Sequence, residues 1–261
     1  MTRASIDETF TAPALDPGLW VPHYLPHWTT PEQSAARYDL DEQGLRLRID
    51  ADQPAWRAAD GEMRVSNVQT ATWSGPVSDT AGTHRHRPDG LVVVTETPTW
   101  KGWVAGAGEV VVRASASPDP TCMLGIWLVG VEDTGADDSG ELCIAELFGD
   151  RIGPDGSTVR VGVKAHHDPR LVDQVTDVDL PIDATQPHEY GVRWGGELVQ
   201  FTVDGEVVAA SAQRLDYPQQ LMIDLFEFPA DARRDPAAYP KTAHVHAVRA
   251  RAGRPDGVRR P

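Results

Sequence analysis

Glu141 and Glu146 stand five positions apart in the run Ser139-Gly140-Glu141-Leu142-Cys143-Ile144-Ala145-Glu146-Leu147-Phe148-Gly149. Strand side chains alternate faces, so Glu141 and Cys143 share a face and Glu146 falls on the other. One extra residue in the strand, a bulge, would bring Glu146 round to the face of Glu141. Two carboxyls roughly 5–5.5 Å apart on one sheet face can cleave a glycoside with retention, one attacking carbon while the other gives a proton to the leaving oxygen. The same spacing also suits an edge strand whose acids face water.

The rest of the chain reads as a scaffold of strands. Arg37–Leu40 and Leu45–Ile49 alternate strictly around the turn 41–44, and Glu197–Val203 with Glu206–Ala209 form a hairpin about Asp204-Gly205. Further short runs occupy 65–72, 91–95, 108–114, 122–130, 158–167, 189–194, 221–228 and 243–249. No sustained helical period interrupts them, which predicts an all-β sandwich or barrel in one domain, 1–261. Residues 1–38 carry Pro13, Pro17, Pro22, Pro26 and Pro31 among aromatics and are expected to wrap a domain edge in extended form. Residues 74–90 read as a long loop and 251–261 as a frayed tail.

The chain has 261 residues and a net charge of −15, from 39 acids and 24 bases. That balance argues against nucleic acid or an anionic membrane surface as partner and suits a neutral ligand such as a glycan. Cys122 and Cys143 make no disulfide framework and are expected as buried free thiols. The first residues lack an apolar core of the secretory kind, and no apolar segment approaches 18 residues, so a cytoplasmic protein is expected.

At Glu141-Leu142-Cys143-Ile144-Ala145-Glu146 the sequence resembles glycoside hydrolase family 16, the laminarinase and lichenase family. Gly108–Ala114, Gly125-Ile126-Trp127-Leu128 and Pro187–Trp194 with Val199–Gly205 resemble further strands of that family in the same order. The resemblance implies a β-jelly roll of two antiparallel sheets, the concave one crossed by a glycan cleft. It implies Glu141 as nucleophile and Glu146 as acid/base in retaining cleavage of β-linked glycans, β-1,3- or β-1,3/1,4-glucan above all, without a cofactor. Trp127 would lie near the cleaved bond, and His166, or its neighbour His167, near the acid/base. Cys143 departs from the family, which has aspartate there. A thiol is a weak donor and a much weaker acid than a carboxyl, so proton sharing between the glutamates must differ. A thiol beside carboxylates is a quiet space-filler rather than a nucleophile.

Other residues have more than one reading. Trp100, Trp103 and Trp127 suit sugar-stacking subsites or core packing. Tyr190 and Trp194 share a strand face, that of the core. Asp224 and Glu227, in the apolar run 222–228, could line the cleft and bind hydroxyls or could sit at a salt-bridged rim. His84-Arg85-His86-Arg87 reads as a solvated basic loop, since no ligand set beyond two imidazoles is visible. His244 and His246 share a face but lack a third ligand, and Asp133, Asp137 and Asp138 lack the spacing of a calcium loop. Beside the hydrolase, the sequence admits a carbohydrate-binding protein on a hydrolase fold, motivated by Cys143, and a transglycosylase using the same glutamates.

Overall fold

The structure is a computed structural model that describes residues 2–87, 89–229 and 234–253. Among these residues the first strands are β1 (Ser5–Glu8), β2 (Arg37–Asp41), β3 (Gly44–Ile49), β4 (Arg64–Gln69), β5 (Ala71–Thr72) and β6 (Trp100–Lys101). The middle of the chain supplies β7 (Gly108–Ser115), β8 (Cys122–Gly130), β9 (Glu141–Phe148), β10 (Ser157–Lys164) and β11 (Gln174–Leu180). It closes with β12 (His188–Trp194), β13 (Val199–Val203), β14 (Glu206–Ser211), β15 (Gln219–Glu227) and β16 (Lys241–Ala252).

These strands form a jelly-roll sandwich of antiparallel sheets. The back sheet runs β14-β13-β12-β7-β16-β3-β2, with β1 beside β16, and the front sheet runs β11-β10-β9-β8-β15-β4. Alternation decides what each strand buries. Leu45, Leu47 and Ile49 of β3, and Tyr190, Val192 and Trp194 of β12, face the core with their even-spaced partners outside. β8 and β15 are buried along their whole length, because their second face is covered too, which is why they read as unbroken apolar runs.

The cover is residues 20–35. Val21 bridges Gln69 on the exposed edge of β4, and the chain then crosses the front sheet, with one helical turn, α1 (Pro31–Ser34), capped by Thr30. Leu25 and Trp28 are buried, and with Tyr24, Trp56, Leu91 and Val93 they form a second apolar cluster on the outer face of β8 and β15. The loop after β5 is tied down on top. His27 Nε2 donates to the Thr83 carbonyl (2.8 Å), Trp28 Nε1 to that of His84 (3.2 Å), and Val94 N to that of His27 (2.8 Å). Pro22–Trp28 is therefore chiefly a packed segment, and only Tyr24 of it reaches the cleft described below.

The parity problem is solved in β9. Gly125 pairs Glu146, Ile126 pairs Ala145 and Trp127 pairs Cys143, so Ile144 is the extra residue; the other neighbour agrees, with Arg160 opposite Glu146 and Gly162 opposite Cys143. Leu142, Ile144, Ala145 and Leu147 all enter the core, and Glu141, Cys143 and Glu146 share the outer face.

Several expectations are corrected. Residues 91–95 form no strand and belong to the covering loop, and Arg251 and Ala252 complete β16; residues 254–261 of the expected frayed tail lie outside the described residues. Trp103 is no cleft wall: it is fully buried in the core, edge-on to Trp194 at 6.5 Å between centroids. Asp224 lies on the outer face of β15 yet has no exposed surface and does not line the cleft; its Oδ1 accepts from Asn67 Nδ2 (2.6 Å). Burial pushes its carboxyl well above the usual range, and the Asn67 bond only partly offsets that. Glu227 is a buried anion at the sheet edge, held by Lys241 Nζ (2.9 Å), Arg234 Nε (3.1 Å), Arg64 Nη1 (3.5 Å) and the Tyr239 hydroxyl (2.6 Å). Neither acid lines the cleft: Asp224 is on the outer face where other parts of the chain cover it, and Glu227, of opposite parity, turns toward the core side, where Lys241 of the back sheet meets it.

Two consequences can be measured. Removing Glu227 breaks its pairs with Lys241, Arg234 and Arg64, and breaking a buried ion pair costs about 3–5 kcal/mol. Urea denaturation of Glu227→Ala should show a loss of that size, and a loss below ~1 kcal/mol would contradict the assigned ion-pair network. Burial also pushes the His27 imidazole down to about 3. In the unfolded chain it takes a proton near pH 6.5, so the unfolded state binds more protons between these values and stability falls on acidification, by ~1.4 kcal/mol per pH unit. In His27→Gln, whose amide still donates to Thr83, urea midpoints should fall less steeply from pH 6.5 to 4 than in wild type. Parallel curves would rule out His27 as a source of the acid sensitivity.

Candidate active site

Cross-strand register assembles the site from residues far apart in sequence. One row across the front sheet reads Asn67, Asp224, Gly125, Glu146, Arg160, Asp177. The next row on the same face reads Gln69, Met222, Trp127, Cys143, Gly162, and the one beyond it places Val129, Glu141 and Lys164 side by side. Side chains directly opposite on neighbouring strands lie close enough to interact. The glutamates therefore flank a row whose centre is an indole and a thiol.

Trp127, Glu141, Glu146, Arg160 and Lys164 of these rows floor a cleft of about 1220 Å3. Tyr24, Trp56, Asp60, His84 and His86 wall one side and Asp173–Asp177 the other. Trp127 lies flat over Gly125, where an added Cβ would come within 2.8 Å of the ring, so the absence of a side chain at 125 makes room for the indole. The indole also packs on Phe226, at 5.6 Å between centroids. Such a face offers an apolar platform to a sugar ring.

Glu141, Cys143 and Glu146 each bring a ligand atom within 4.8 Å of the other two. The two carboxylates are almost fully buried, and Lys164 stands between them, its Nζ 3.0 Å from Glu141 Oε1 and 2.5 Å from Glu146 Oε1. The same ammonium lies 5.3 Å from the centroid of Trp127, a cation–π contact. Arg160 Nη1 is 3.9 Å from Glu146 Oε2 and is itself paired with Asp177 at 2.8 Å. His166 Nε2 donates to Glu141 Oε2 (2.8 Å), and His84 meets the His166 ring edge-on at 4.9 Å. His167 faces away, its backbone N–H donating to Ser139 Oγ (3.0 Å) and its Nε2 to the Arg85 carbonyl (2.6 Å). Of the two histidines, 166 is the one at the site, and it bonds Glu141 rather than Glu146, beside which it was expected.

Burial alone would raise the Glu141 carboxyl; the Lys164 charge and the His166 hydrogen bond outweigh it and hold the group well below the usual carboxylate range. Burial, then the nearby anions Glu146 and Glu141, push the Cys143 thiol far up, and its Sγ donates to the Arg160 carbonyl at 3.5 Å. Residue 143 is thus a neutral thiol, and no acid stands there to share a proton with Glu141. Lys164 stays charged because the two glutamates outweigh the cost of its own burial, which alone would lower it.

Lys164 and Arg160 were not singled out from the sequence, and His84, read there as part of a solvated basic loop, is instead buried at the site. Arg160, Gly162 and Lys164 alternate on one face of β10, a signal present in the pattern, but only the register sets Lys164 opposite Glu141. His84 reaches the site because the covering loop folds back over β8, and nothing in its local sequence announces that. The remaining motifs are spent on structure. Asp133 pairs with Lys101 and Asp138 with Arg170, while His246 uses both ring nitrogens, on Ser115 Oγ and the Gln43 carbonyl. Cys122 and Cys143 are both free and buried.

Neither a protein-family model nor a curated protein matches the sequence. Solved structures do match. The chain is similar to the GlcNAcα1-4Gal-releasing endo-β-galactosidase from Clostridium perfringens, with a TM-score of 0.80, 23% identity, and 94% of this chain and 61% of that one covered. It thus spans about three fifths of the galactosidase chain. It is similar to an apo transglycosylase (TM-score 0.63, 18% identity, 97% and 86% covered) and to the laminarinase from Rhodothermus marinus (0.63, 18%, 95% and 96%). The fold of this chain is that of glycoside-hydrolase jelly rolls.

Proposed function

We propose that the protein cleaves a β-linked glycan with retention of configuration, as a member of glycoside hydrolase family 16 with an altered motif. The observation that carries this reading is the pair of buried carboxylates, Glu141 and Glu146, with oxygens within 4.8 Å of each other on the floor of an open cleft. That spacing suits direct attack, since inverting enzymes keep roughly 6.5–9.5 Å for a water between the two groups. In the first step an oxygen of Glu141 bonds to the anomeric carbon as the glycosidic C–O bond breaks, and Glu146 gives its proton to the leaving oxygen. In the second, water attacks the glycosyl ester, Glu146 takes the water's proton and Glu141 leaves as carboxylate. Lys164 donates to the same Glu146 oxygen in the free protein, so it must release that oxygen before Glu146 can serve as acid, keeping its hold on Glu141. The substrate class we favour is β-1,3- or β-1,3/1,4-glucan, with Trp127 as the sugar platform. The printed activities of the similar structures, a galactosidase, a transglycosylase and a laminarinase, support action on glycans without choosing among them.

A second reading is a glycan-binding protein with little turnover. It is favoured by the ammonium docked on both carboxylates and by the thiol at 143. Transfer to a sugar acceptor in place of water would use the same two glutamates, and product masses above that of the donor would reveal it.

Reducing-sugar release from laminarin and lichenan is the direct test. It should vanish in Glu141→Gln and fall about 10²–10⁴-fold in Glu146→Gln. Undiminished turnover in Glu141→Gln would remove the nucleophile assignment, and binding of these glucans without cleavage by wild type would favour the second reading. Lys164→Met removes the charge that holds the Glu141 carboxyl down, so the acid limb of the kcat/KM profile should move to higher pH. An unmoved limb would show that Lys164 does not set the ionisation of the nucleophile.

A further inference from the structure

We propose that His84, His166 and Glu141 form a site for a divalent first-row metal ion of the zinc class, the ion replacing the proton shared between His166 Nε2 and Glu141 Oε2. Each of the three residues offers one ligand atom, and these atoms lie within 4.8 Å of one another. Two imidazoles and one carboxylate with a remaining open position are a donor set that zinc accepts, water filling the fourth place. All three residues line the cleft, so both ion and water have a path in.

A second observation points the same way. His84 is 4% exposed, and its Nδ1 is shut off from solvent without a hydrogen-bond partner. A buried polar atom left unpaired costs free energy, and a metal at the site would engage a ring that is otherwise held there by packing alone. His84 also meets the requirement of a neutral ligand, because burial first and the His166 ring second keep its imidazole well below the usual range.

The charges and distances allow the ion. His166 Nε2 and Glu141 Oε2 are 2.8 Å apart. Two ligands at about 2.0–2.1 Å from zinc in a tetrahedral arrangement stand roughly 3.3 Å apart, so the pair must open by about half an ångström. Lys164 approaches Glu141 as an ion pair at Oε1 and leaves Oε2 to the metal. The cleft lining carries five carboxyl side chains against Lys164, Arg160 and Arg87, an excess of acidic groups before the ion enters. The neighbouring trio Glu141, Cys143 and Glu146 is the poorer site, since Lys164 already occupies the space between its carboxylates. Whether or not the glutamates cleave sugar, a bound ion would engage the lone pair through which Glu141 would attack, making the site inhibitory in an active enzyme.

The test uses the full chain, stripped of metal by a chelator and titrated with zinc sulfate in a calorimeter, with cobalt(II) as a spectroscopic substitute. One saturable site is expected, with the visible absorption of four-coordinate cobalt. Affinity should fall at least about ten-fold in His84→Ala and in His166→Ala and stay unchanged in His246→Ala. If His84→Ala fails to fold, His166→Ala carries the test, because that ring packs at the cleft surface. Absence of saturable zinc heat and of cobalt absorption in wild type would overturn the proposal, as would wild-type affinity in His166→Ala or loss of the site in His246→Ala.

Discussion

Two-residue periodicity is the constraint on which this molecule turns. A strand that buries Leu142 and Leu147 in one core must compensate for their odd separation, and Ile144 does so by adding a residue that neither neighbouring strand matches. Both Ile144 and Ala145 then enter the core, and the two glutamates emerge together on the far side. Core packing and site geometry are thus one event. The apolar residues that hold the bulge in place are the reason the carboxylates meet.

Bringing two anions together under cover creates an electrostatic cost, and the fold meets it with a cation from the adjacent strand. Lys164 lies in register with Glu141 and reaches Glu146, while Arg160, in register with Glu146, is drawn partly away by Asp177. With a neutral thiol at 143, ionisation of Glu141 is governed by Lys164 of β10 and His166 just after it rather than from within the glutamate strand. Lys164 carries its ammonium over the Trp127 face while it contacts both acids.

The front sheet is also asymmetric. Residues 20–35 and the loop after β5 bury the outer face of β15 and β4, sealing Asp224, while β9 to β11 stay open toward the cleft. That covering converts half of a broad concave surface into a wall carrying Tyr24, Trp56 and His84. Polar groups on the covered half must find partners within the protein, as Asn67 and Asp224 do with each other.

The sequence alone determined the fold class, most of the strands and the need for a bulge between Glu141 and Glu146, because alternation and turn residues act over a few neighbours. Tertiary structure decided which outward-facing residues touch the cleft. Asp224 carries the same chemistry as a true lining residue, and only the packing of other segments over it excludes it, while Trp103 and Glu227 turn inward. Lys164 and His84 enter the site for the converse reason. Their partners are 18 and 57 residues away in the chain, a distance set by strand register and loop folding that no local pattern encodes.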